Sequence, residues 1–367
     1  MKRRITSLLI LVVIVSMLFS ACGSTDTKQN AATETNAATE TKTAETNTAT
    51  PAEPEKSFKI KLAGIKTEDD PATMAMNHFA EIVNSNTEAN ITVEVYPNSV
   101  LGGINDMLSG MPNGLTDMFY NSFSCYCWLE GAKKFTAVTA PFIWDDYEQL
   151  QAFLDSDTAK QWFEEAATTS GVRTLSAKGE LPPRQLTSNK AVRTADDFKG
   201  LKVRTAESAL VQQTMKKLGA TPVVVPFADL YIALRQGTVD AQENNFITAK
   251  NSSFFEVQKY FMKTDYIRDV CGMFISENLW KKLSDNQKAI IKAAADEATA
   301  FEAEQIAATL DDTMKFLNEK MEYVEVDVKS IQDKLGSDIY KEFDKAGELW
   351  PTGTIDEIMK FKENYTK

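Results

Sequence analysis

The sequence is poor in the side chains most often recruited for chemistry. It carries one histidine, His78, and four cysteines among 367 residues. A lone histidine inside Met74-Ala-Met-Asn-His-Phe-Ala-Glu-Ile-Val83, a stretch with amphipathic helical spacing, predicts a partly exposed helix face. No His/Cys cluster has metal-ligand spacing, so no metal or other cofactor is expected. No glycine-rich phosphate loop and no Ser/His/Asp signature occurs, which argues against an enzyme. Basic surplus is missing too. A net charge of −12 and a pI of about 4.9 exclude nucleic acid as a partner and any broad hold on anionic lipid. An anionic ligand would therefore have to be met by particular Arg or Lys side chains.

Cysteine usage is also thin. Cys125 and Cys127 stand too close in sequence for an unstrained disulfide, and in a strand they would share one face. With Cys271 they make an odd number of thiols and no disulfide framework. Cys22 belongs to a different context. Met1-Lys-Arg-Arg4 is a basic start, Leu8 to Phe19 is an apolar run of about a dozen residues, and Ser20-Ala21 place small residues before the thiol. The run fits a signal-peptide core and is short for a membrane span. The pattern predicts a lipoprotein signal peptide over 1–21 with Cys22 acylated, Phe19 standing where Leu is usual.

From Ser24 to Glu55 the chain is Ala, Thr, Glu and Asn with no large apolar side chain, so it has nothing to bury. Residues 22–56 are expected to be a disordered tether between lipid and receptor. Beyond it, alternation in Ser57–Ala63 and Ile91–Tyr96 predicts strands, with a helix from Pro71 to Asn84 between them. A short helix over Ile104–Met111 leads to a strand candidate at Leu115–Tyr120. Later, Gly200–Arg204 and Thr221–Val225 read as strands, Ser208–Leu218 and Phe227–Gln236 as helices, and Val239–Glu243 as a segment leaving the sheet. The alternation predicts an α/β fold with parallel-type sheets in two lobes and a cleft between them. An Ala-, Glu- and Lys-rich stretch from Ser284 to Lys320 predicts one long helix packed on both lobes. Lobe I is expected to comprise 57–181 with about 270–309, and lobe II 182–269 with about 310–367.

One block is more specific. Gly200-Leu-Lys-Val-Arg204, Leu218-Gly-Ala-Thr-Pro222, Pro226-Phe-Ala-Asp-Leu-Tyr-Ile-Ala-Leu-Arg-Gln-Gly237 and Val239-Asp-Ala-Gln-Glu-Asn244 follow in order. Tyr96-Pro-Asn-Ser-Val-Leu-Gly102 and Arg184-Gln-Leu-Thr-Ser-Asn189 lie upstream, and Phe254-Phe-Glu-Val-Gln-Lys-Tyr260 downstream. This series resembles the solute receptors of TRAP (tripartite ATP-independent periplasmic) transporters of the DctP type. The resemblance implies a periplasmic-binding-protein-like fold with hinge strands. It also implies capture of a small carboxylate and delivery to the transporter's small and large membrane subunits. A ligand-binding sensory receptor remains the alternative at this level.

The resemblance carries the carboxylate clamp to Arg204. The chemistry agrees, since a guanidinium presents paired donors that lysine does not copy. Arg184 matches the second cleft arginine, an interlobe structural bond being its other reading. Asn244 matches an amide near the ligand. Phe227 is either a cleft wall or a core residue at a helix start. Asn245 stands where the family has proline and offers a further ligand contact. Asn121 is the candidate from Tyr120–Trp128, whose aromatic rings serve either a ligand with ring surface or the core.

Overall fold

The computed structural model describes residues 56–366, and these lie within one compact unit. The expected signal peptide, Cys22 and nearly all of the tether fall outside the described residues.

Twelve strands are formed: β1 (Phe58–Gly64), β2 (Ile91–Tyr96), β3 (Met118–Ser122), β4 (Val172–Ser176), β5 (Glu180–Leu181), β6 (Gln185–Ser188), β7 (Lys202–Thr205), β8 (Thr221–Val224), β9 (Ala241–Asn244), β10 (Tyr260–Met262), β11 (Asp269–Ser276) and β12 (Glu322–Val324). They make two six-stranded sheets. The first runs β2-β1-β3-β11-β4, with β5 also on β11, and the second runs β12-β10-β6-β9-β7-β8. Helical crossovers force β1, β2 and β3 to be parallel, and likewise β7, β8 and β9. The sheets are nevertheless mixed. β11 runs antiparallel to β3, β4 and β5, while β6 runs antiparallel to β9 and β10. That departs from the parallel-type expectation because β6 and β11 are the strands by which the chain enters one sheet and returns to the other.

The helix Pro71–Ser85 starts as its sequence dictates. Asp70 caps it by accepting from Ala72 N at 3.1 Å, and Pro71 occupies the first turn. His78 stacks on Phe301 at 4.6 Å and faces Glu297 at 3.3 Å on a partly exposed surface. The segment expected to leave the second sheet is instead β9, between β6 and β7. All four of its residues are buried although three are polar, so alternation could not reveal it.

The strand candidate at Leu115–Tyr120 begins later, at Met118. Thr116 and Asp117 are used to bond Lys61, with Lys61 N donating to Asp117 Oδ2 at 2.8 Å. The aromatic stretch that follows β3 is a 3-10 helix, Phe123–Trp128. Phe123 and Tyr126 point into the core, where Tyr126 stacks on Phe274 at 5.2 Å. Cys125 and Cys127 are buried thiols in that helix rather than strand neighbours.

The long helix is Asp285–Lys320, of 36 residues, or about 54 Å at 1.5 Å per residue. Ser284 and Gln287 close a reciprocal capping box at its start. Its first half packs on the helix Pro71–Ser85 and on β4, β5 and β11. Its second half meets the helix Phe246–Asn251 and β12. Gly179, at φ +83°, brings its backbone against the carbonyl of Thr299 in the middle of the helix. The helix Thr354–Asn364 packs on the first-lobe helices Lys134–Val138 and Tyr147–Leu154 because Phe361 stacks edge-on with Phe153 at 5.3 Å.

Candidate functional site

A cavity of about 100 Å³ lies between the two sheets. Since one water needs roughly 10–15 Å³ on this measure, a ligand of several heavy atoms fits. Arg204, Arg184, Asn244, Asn245, Phe227 and Asn121, spread over more than a hundred positions of sequence, all line it.

Arg204 sits in β7, paired in parallel register with Val223 and Gln242. It is 2% exposed, and its Nε donates to the carbonyl of Val225 at 2.8 Å. Neither terminal nitrogen finds an acceptor among the described residues, and no carboxylate lies within ion-pair distance. Burial lowers its pKa to about 10, against the pull of Glu243. A buried guanidinium with two open donors is costly unless an anion meets it.

Arg184 is differently placed. It follows β5 in the crossover between sheets, and its guanidinium grips Glu243 through Nε and Nη2, the latter 2.9 Å from Oε1. Tyr266 donates to the same carboxylate at 2.6 Å. Burial works against the Arg184 charge, but Glu243 offsets it and holds the pKa above its ordinary value. Its charge is thus largely spent within the protein, with Nη1 left open. Arg184 Nη2 also donates to Asn244 Oδ1 at 3.2 Å. Asn244 Nδ2 then donates to Gln242 Oε1 at 2.7 Å, Gln242 to Thr187 at 2.8 Å, and Thr187 to Gln258 at 3.1 Å. This chain of bonds fixes the Asn244 amide and satisfies the buried polar strand β9.

Phe227 lines the cavity and also packs against the core. One side of the ring packs on Phe254 at 6.4 Å, and the ammonium of Lys66 lies 4.4 Å from its centroid. Asn245 caps the helix Phe246–Asn251, accepting from Thr248 N at 2.8 Å. Asn121 is on β3, 8% exposed. Of the aromatic stretch only Trp128 reaches the cavity; its other rings are in the core.

Lys66, Asp269 and Glu302 were not anticipated. Lys66 lies just beyond β1, donates to Thr248 at 3.1 Å, and has no carboxylate within ion-pair distance among the described residues. Burial lowers its pKa, partly countered by Asp70 and Glu302. Asp269 opens β11; its Oδ1 accepts from Ser124 N at 3.1 Å and Val270 N at 2.9 Å, while its buried Oδ2 has no partner among the described residues. Burial raises its pKa. Glu302, 6% exposed in the middle of the long helix, accepts from the Tyr120 hydroxyl at 2.5 Å. Burial pushes its pKa up to about 7. The signal for Lys66 was its position at a strand's C-terminal end. Nothing local marks Glu302 among the many acids of its helix.

The comparisons with known proteins agree with this architecture. The family described as bacterial extracellular solute-binding protein, family 7, matches residues 62–345. The sialic acid-binding periplasmic protein SiaP of Vibrio cholerae is 29% identical over 268 residues, 72% of this chain and 82% of that one. A TRAP periplasmic solute-binding protein of a Polaromonas species, solved with bound D-erythronate, has a TM-score of 0.76 at 25% identity. The similarity covers 85% of this chain and 100% of that one. Its counterpart from Sulfurospirillum deleyianum, solved with succinate, has a TM-score of 0.74 at 25% identity over 83% and 98%. With the family's pattern running through both sheets and the crossovers between them, this chain belongs to the family 7 extracellular solute-binding proteins, the DctP-type receptors of TRAP transporters.

Proposed function

We propose that the protein captures a small organic acid between its two lobes and delivers it to the small and large membrane subunits of a TRAP transporter. The observation that carries this reading is Arg204, a buried cation whose two terminal nitrogens find no acceptor among the described residues. A ligand carboxylate supplies the missing bidentate partner. Asn244, held by Arg184, offers its remaining amide hydrogen beside it, and Lys66 adds charge from the opposite lobe. Nothing in this arrangement asks for a bond to be made or broken; the site binds and encloses. Isothermal titration with D-erythronate, L-galactonate, succinate and an aromatic acid tests it. At least one should bind to wild type and be lost in Arg204→Ala. Binding that survives unchanged in the variant refutes the clamp.

The same reading places the protein on the extracytoplasmic face of the membrane, held by lipid on Cys22 and a tether over 22–56. It rests on the sequence pattern before Cys22. Labelling cells with a palmitate analogue should mark the wild-type chain and not Cys22→Ser, which should leave the membrane fraction. An unlabelled wild type refutes the anchor.

A further inference from the structure

The cavity presents more than an anion clamp. Its wall carries three cations, Lys66, Arg184 and Arg204, and four acids, Asp70, Glu243, Asp269 and Glu302. Several of these are already committed. Arg184 is neutralised by Glu243. Asp70 caps its helix through Oδ1 and accepts from Asn251 at 3.1 Å through Oδ2.

Arg204 and Phe227 belong to the second lobe, joined through Val225, to whose carbonyl Arg204 donates. Lys66 reaches across to this end, over the Phe227 ring and onto Thr248. Arg204 and Lys66 therefore remain cations with no carboxylate at ion-pair distance among the described residues. Two acceptors on the wall are open as well. Asp269 Oδ2 is buried with no donor. Glu302 Oε1 receives no N–H or O–H hydrogen bond among the described residues; beside Tyr120 the Cys271 thiol is a weak donor to that carboxyl, and Lys66 acts on it as a charge without a bond. Both acids neighbour β3 and β11, on the first-lobe wall.

We propose, building on the acid-binding reading above, that Glu302 and Asp269 select the ligand class. The cavity takes a monocarboxylate that carries hydroxyl groups, and it disfavours an unsubstituted dicarboxylate. The first-lobe wall offers acceptors in need of donors. A hydroxyl answers that need; above the pH at which Glu302 ionises, a second carboxylate brings like charge against two acids and leaves both acceptors unpaired, so the discrimination is read at pH 8. Sites built to hydrogen-bond a substrate hydroxyl reject analogues lacking it for this reason.

D-erythronate and succinate make the contrast clean, since both have four carbons. Titration calorimetry with the purified wild-type chain should show the preferred hydroxylated monocarboxylate, D-erythronate or the longer L-galactonate, binding at least about tenfold more tightly than succinate. Glu302→Gln keeps the shape but removes the charge, and it should narrow that ratio by about tenfold, by weakening the hydroxy acid, strengthening succinate, or both. Asp269→Asn serves as a second variant should Glu302→Gln unfold. Succinate binding as tightly as either hydroxy acid in wild type overturns the proposal while leaving acid capture intact. An unchanged ratio in both variants overturns the roles of the two acids. Failure of every acid tested to bind overturns the acid-capture reading, and this inference with it.

Discussion

Replacing Glu302 by glutamine should make the unliganded protein more stable above neutral pH, with little change near pH 5. The carboxyl goes from an ordinary 4.5 to about 7 on folding, chiefly through burial. The Tyr120 hydroxyl and Cys271 thiol favour its ionised form, while Asp70 opposes it and Lys66 assists it. The folded state thus holds the proton more tightly than the unfolded one. Stability from this group is intact below about pH 4.5 and falls as pH rises toward 7. A gap of about 2.5 units at about 1.4 kcal/mol each amounts to about 3.5 kcal/mol, lost almost completely by pH 8. Glutamine has no proton to lose. Asp269, raised in the same direction, bends the wild-type curve as well, so the informative quantity is the difference between the two proteins. Denaturant unfolding at several pH values between 5 and 8 gives that difference directly. A variant whose stability relative to wild type is the same at every pH refutes an elevated Glu302, and a variant weakest at high pH refutes the sign.

Three other outcomes follow from the geometry. Arg204→Lys keeps the charge but loses the paired donors and the bond to Val225, and calorimetry should show acid affinity falling by about 30-fold or more, as for breaking a buried charged pair. Glu243→Gln strands Arg184 in the crossover and frees Tyr266, and unfolding experiments should register a loss of about 3–5 kcal/mol. Gly179→Ala adds a β-carbon against the Thr299 carbonyl at a φ of +83°, so a drop of about 2 kcal/mol or more is expected in the same assay; unchanged stability would refute that close approach.

Periodicity exposed the elements whose two faces differ. The helix Pro71–Ser85 and strands β1 and β2 have one wet side, and their bounds agree within a residue or two with the pattern in the sequence. β9 was misread because burial on both faces erases alternation and its polar side chains imitate a loop. The aromatic run after β3 misled in the opposite way. Its composition matches a ring-lined pocket and a core equally, and only the 3-10 turn decides that Phe123 and Tyr126 go inward. Arg204, Arg184 and Asn244 were legible through an ordered set of motifs, yet the motifs did not reveal that Arg184 spends its charge on Glu243. Lys66, Asp269 and Glu302 are contributed singly by three distant segments. They become one wall only when β1, β11 and the long helix are assembled, a relation that no window of sequence contains.

Lys66 and Asp70 lie within one five-residue turn after β1, and both reach the short helix Phe246–Asn251, through Thr248 and Asn251. That turn therefore bridges the end of β1 to the far side of the cavity, with Lys66 itself part of the lining. Its grip is two polar contacts and one ring contact, each modest. A change at position 66 accordingly alters two things at once, the bridge across the cavity and the charge on its wall.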